Sequence, residues 1–116
     1  MKAYLGSSSF SISSSDAVAI LYAVTHHIEN SDDGYLVPAC RSALEKIKRK
    51  SPSLSKEEAT AIGISLNEFI DDLASSGSFA ASDLPPHTTE NSLRSLAHRF
   101  QSQLQRVGVT LRRITE

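Results

Sequence analysis

The stretch Ser15-Asp16-Ala17-Val18-Ala19-Ile20-Leu21-Tyr22-Ala23-Val24-Thr25-His26-His27-Ile28-Glu29-Asn30 decides how the chain folds. From Ala17 to Val24 it holds no charged residue and no strong helix breaker. A helix here is apolar nearly all round, the pattern of a helix buried on several sides. The run is far too short to span a bilayer, which takes about 20 apolar residues. Asp16 suits the helix start, where an acceptor and a negative charge are both favoured, with Ser14 or Ser15 as the cap. A central helix over residues 16–29 is therefore expected, ending in the turn cluster Asn30-Ser31-Asp32-Asp33-Gly34.

Upstream, Ala3, Leu5, Phe10 and Ile12 alternate weakly around Gly6-Ser7-Ser8-Ser9, which predicts one broken strand or a short hairpin. Downstream, Tyr35 to Lys50 predicts a second helix. Pro38 falls in its first turn and Leu36, Cys40, Ala43, Leu44 and Ile47 form its apolar stripe. Ser51-Pro52 stops it. Ser55 and Glu58 have capping-box spacing and open a third helix to about Ala74. Its apolar face is Ala59, Ile62, Gly63, Leu66, Phe69, Ile70 and Leu73. Residues 75–88 read as a long loop that Phe79 and Leu84 pin to the core. Thr88 or Thr89 caps a fourth helix from about Glu90, with Leu93, Leu96, Ala97, Phe100, Leu104 and Val107 facing inward. Gly108 sits where a left-handed residue ends a helix, and the β-prone run Val109 to Ile114 leaves as a strand.

These elements predict an α+β fold. About four helices surround the helix at residues 16–29, with a small sheet from the N- and C-terminal segments; the alternative is an all-α bundle. The 116 residues suit one domain, 1–116, able to close a core without staples. Serine fills roughly one position in six, well above ordinary usage, and its clusters suit caps and loops. The single cysteine, Cys40, excludes an intrachain disulfide. With no signal-peptide pattern at the start and no transmembrane run, a soluble cytoplasmic protein is expected.

Net charge is −1, yet charge is segregated along the chain. Residues 16–33 carry Asp16, Glu29, Asp32 and Asp33 without a Lys or Arg. Residues 41–50 carry Arg41, Lys46, Lys48, Arg49 and Lys50 against Glu45. Residues 57–83 are again acidic, with Glu57, Glu58, Glu68, Asp71, Asp72 and Asp83. Residues 90–116 carry Arg94, Arg99, Arg106, Arg112 and Arg113 against Glu90 and Glu116. Either acidic and basic elements neutralise each other, or one patch stays exposed for a partner.

Catalytic and metal-binding motifs find little support. His26 and His27 are neighbours that point apart on a helix, and neither they nor His87 and His98 have zinc-finger spacing. Cys40 lies mid-stripe, where structural cysteines lie. A nucleophile elbow and glycine-rich phosphate loops are absent from the sequence. No enzyme activity, cofactor or metal is expected. A helix-turn-helix would give its recognition helix Glu58, Glu68, Asp71 and Asp72, which phosphates repel.

The expectation is a small protein–protein interaction module of adaptor, inhibitor or immunity type. It acts as a monomer or homodimer through the acidic residues Glu68, Asp71 and Asp72. Asp71 and Asp72 are placed in the last helical turn, where each opposes the helix dipole by about 0.3–1 kcal/mol. Either arginines of the fourth helix pair with them, or they wait for a basic partner. The alternative is a nucleic-acid-binding regulator using Lys48, Arg49, Lys50, Arg99, Arg106, Arg112 and Arg113. A pI near 6.4 disfavours it.

Overall fold

The computed structural model describes residues 2–6, 8–30, 37–49, 52–76 and 88–108. Among them are four helices and one three-stranded sheet, so the α+β expectation holds. β1 (Lys2–Leu5) and β2 (Ser8–Ser11) form an antiparallel hairpin with Ala3 opposite Phe10. Gly6 turns the chain at φ 62°, a left-handed conformation that glycine adopts without strain. β3 (Ser53–Leu54) lies parallel to β1 on its other side, giving the order β2-β1-β3. The Tyr4 amide donates to the Pro52 carbonyl at 2.8 Å.

The third strand thus comes from Ser53 and Leu54, which the sequence marks only as a turn. A strand of two residues is too short to show alternation. The C-terminal segment expected to complete the sheet, and the loop carrying Phe79 and Leu84, lie outside the described residues. The sheet buries Ala3, Leu5, Phe10, Ile12 and Leu54 against the helices. Phe10 meets Phe100 edge-on at 5.0 Å, a favoured aromatic arrangement.

α1 (Ser14–Asn30) begins with a reciprocal cap. The Asp16 amide donates to Ser13 Oγ at 3.1 Å, and the Ser13 amide donates to Asp16 Oδ2 at 3.0 Å. Ser13, not Ser14 or Ser15, is therefore the cap, because it stands three residues before the carboxylate that completes the box. α2 (Val37–Ile47) buries Cys40, Ala43 and Ile47, with Pro38 in its first turn as expected. α3 (Lys56–Ser76) opens with the anticipated Ser55–Glu58 box at 2.8 and 3.1 Å. α4 (Glu90–Arg106) is capped by Thr89, whose partner three residues on is Ser92. Gly108 follows the helix at φ 84°.

The most enclosed helix is α3, which corrects the expectation of a helix at 16–29 at the centre. α1, α2, α4 and β3 all pack on it. It is buried at Ala59, Ile62, Gly63, Leu66, Phe69, Ile70 and Leu73, and beyond that face at Ala61 and Ser65. Small residues let neighbouring helices approach but add little to an apolar stripe. α1 is one-sided by comparison. Ala19, Ile20, Ala23, Val24 and His27 are buried, Leu21 is half-buried, and Tyr22 is 49% exposed. No helix among the described residues is long and apolar enough to cross a membrane.

Candidate functional site

The acidic residues of α3 meet histidines. Glu68 and Asp72 are separated by four positions, so they share one face of the helix. That face looks toward the end of α1. Glu68 Oε2 is bonded to His27 Nδ1, and Asp72 Oδ2 lies 2.7 Å from His26 Nε2. Asp71 is half-buried and takes no part in these two pairs. The partners of the acids at residues 68 and 72 are thus histidines of α1, not arginines of the fourth helix. α3 continues to Ser76, so Asp71 and Asp72 stand a turn inside its end, where the dipole acts more weakly.

The two histidines do different work. His27 is 4% exposed and wedged between α1 and α3, with its Nε2 buried and unpartnered among the described residues. His26 lies nearer the surface, its ring 5.5 Å from that of Phe69 and tilted by 59°. Beside it runs an open groove of about 420 Å³, lined by Leu21, Tyr22, Thr25, His26, Glu29 and Phe69. Five of these lie on successive turns of one α1 face, while Phe69 comes from α3. Glu29 is exposed, and Asp72 remains 64% exposed beside the groove. No Lys or Arg occurs in residues 14–30 or 57–76, so both walls are free of fixed positive charge.

Of the alternative basic set, the described members are Lys48, Arg49, Arg99 and Arg106. Arg99 donates to the Ser11 carbonyl at 3.0 Å and to Asp16 Oδ2 at 3.1 Å. It ties α4 to the hairpin and the start of α1. Lys48 and Arg49 are exposed just past α2, with Lys48 4.0 Å from Glu45. Arg106 is exposed at the far end of α4. Lys50, Arg112 and Arg113 lie outside the described residues.

Two further polar sites are structural. Glu58 is buried where α2 meets α3 and accepts from Lys46 Nζ at 2.7 Å, from Ser42 Oγ and from the Ser55 amide. Burial pushes its carboxyl up, but the bonds from Lys46, Ser42 and Ser55 together outweigh that and bring it down to about 2. Cys40 is fully buried, 3.9 Å from Ser65 Oγ. Burial raises its thiol pKa, Ser65 opposes the rise and the Glu68 charge adds to it, so the reactive thiolate is disfavoured. Among the described residues, no three His, Cys, Asp or Glu side chains converge to hold a metal ion.

The sequence does not mark Tyr22, Thr25, His26, Glu29 and Phe69 as one binding site. A signal was present: Tyr22 interrupts an aliphatic run and shares a helical face with His26 and Glu29. The two acidic segments also hold only histidines as potential cations between residues 14 and 30. No protein-family model matches the chain, and no curated protein and no solved structure matches it.

Proposed function

We propose that this protein is a non-enzymatic protein-binding module whose α1/α3 face receives a basic segment of its partner. One observation carries the proposal: an open groove with an apolar floor lies in a face without Lys or Arg, beside Glu29 and Asp72. Apolar lining with a few placed polar groups is the usual composition of a recognition pocket. The segregated charge steers a basic partner toward this side and disfavours an acidic one. In this reading Glu29 and Asp72 supply the acidic surface, since Asp72 stays 64% exposed beside its His26 partner while Glu68, paired with His27, is 29% exposed.

The test is capture of native partners by wild-type protein and by two variants. Tyr22→Asp with Glu29→Lys alters the groove; Lys48→Glu with Arg49→Glu alters the end of α2. A protein retained by the wild type, lost with the groove variant and kept by the α2 variant is the expected result. Nuclease-sensitive retention lost only in the α2 variant would instead establish nucleic-acid binding.

A further inference from the structure

We infer that the partner's anchor in the α1/α3 groove is an arginine side chain. This rests on the α1/α3 face being the binding face. A groove of about 420 Å³ has room for a long side chain. Its walls combine aromatic and acidic groups. The Tyr22 ring stands half-exposed, and Phe69 sits under the tilted His26 ring. The exposed Tyr22 ring is of the kind that attracts cations. Glu29 lines the same space, and Asp72 is held at its edge by His26. Residues 14–30 and 57–76 hold no Lys or Arg, and Lys56 stands at the start of α3, thirteen residues before Phe69, so neither stretch brings a fixed positive charge to the groove.

The choice of arginine follows from physical fit. Its guanidinium is planar, weakly hydrated and able to stack on a ring while donating to a carboxylate. Its aliphatic stem covers apolar surface such as Leu21. A lysine ammonium is more strongly hydrated and lacks the planar fork. A purely aliphatic anchor would draw Glu29 toward a dry environment without a partner, which is unfavourable.

The experiment titrates the isotope-labelled full chain with end-capped five-residue peptides, observed by amide chemical shifts. The central residue is arginine, lysine, citrulline or leucine, flanked by glycines. The arginine peptide should move amides of Leu21 to Glu29 and those around Phe69, saturably and more weakly as salt rises. Lysine should bind about tenfold more weakly, and citrulline should give no saturable shift. Glu29→Gln and Tyr22→Leu should each weaken the arginine peptide while the thermal melting curve stays unchanged. Equal binding of citrulline or lysine, or arginine binding indifferent to both substitutions, overturns the inference. Saturation by leucine in place of arginine overturns it but keeps the groove as the binding face. No shift from any peptide, with partner capture indifferent to Tyr22→Asp, overturns both.

Discussion

Glu58 shows how far a single residue is legible. Its place three positions after Ser55 marks a capping box in the sequence, and both reciprocal bonds are present. Its contacts with Ser42 and Lys46 come from another helix and depend on how α2 crosses α3, which periodicity does not encode. The folded carboxyl lies at about 2, below its ordinary value of 4.5. A depressed folded value means that the ionised form stabilises the fold above the ordinary value. That contribution is lost as pH falls from there through about 2. Each tenfold gain in acidity on folding corresponds to about 1.4 kcal/mol, so the contribution is at most about 3 kcal/mol. Urea denaturation should show the wild type losing stability from about pH 5 downward. Glu58→Gln should lower stability at neutral pH by about 3 kcal/mol or less and flatten the acid dependence. An equally steep acid loss in Glu58→Gln would assign it to other carboxylates.

At the scale of the element, helix positions were readable, but which helix lies innermost was not. The apolar run of α1 outweighs α3 on hydropathy, yet α3 is enclosed on more sides, with Ala61 and Ser65 buried beyond its apolar face. The distinction predicts unequal effects of one substitution. Leu66→Ala, at a fully buried site on α3, should reduce stability by about 2–5 kcal/mol. Leu21→Ala, at a half-buried site lining the groove, should cost about 1 kcal/mol, nearer the scale of surface changes. Denaturant midpoints for the two variants measure the difference; similar losses would return α1 to the centre. The cap of α3 was legible from Ser55 and Glu58, whereas that of α1 was not, although Asp16 stands three residues after Ser13. The box of α4 uses Ser92 instead, whose hydroxyl accepts from the Thr89 amide at 2.8 Å. Thr89→Ala should lower stability by about 1 kcal/mol, with exchange of the amides at the start of α4 accelerating first.

Across the whole molecule, alternating acidic and basic segments become two kinds of surface, and several charges are engaged internally. Lys46 is bound to Glu58 and Arg99 to Asp16, which thins the basic set. The segregation was legible from residue order. The matching of α3 acids with His26 and His27 was not, because it depends on the register between two helices distant in sequence. Tight binding of duplex DNA releases counterions from several phosphates at once and requires cations gathered on one face. Here Lys48 and Arg49 follow α2, while Arg106 ends α4, and these two helices each pack on α3. The acidic α1/α3 face adds repulsion. Fluorescence anisotropy with labelled duplexes at about 150 mM salt, where exposed charges more than about 8 Å apart are largely screened, should therefore show no submicromolar binding. At lower salt, any residual binding should be shallow in salt dependence, the slope expected when few phosphates are neutralised together. Submicromolar binding with a steep negative salt slope, abolished by Lys48→Ala with Arg49→Ala, would place the working surface at the end of α2 instead.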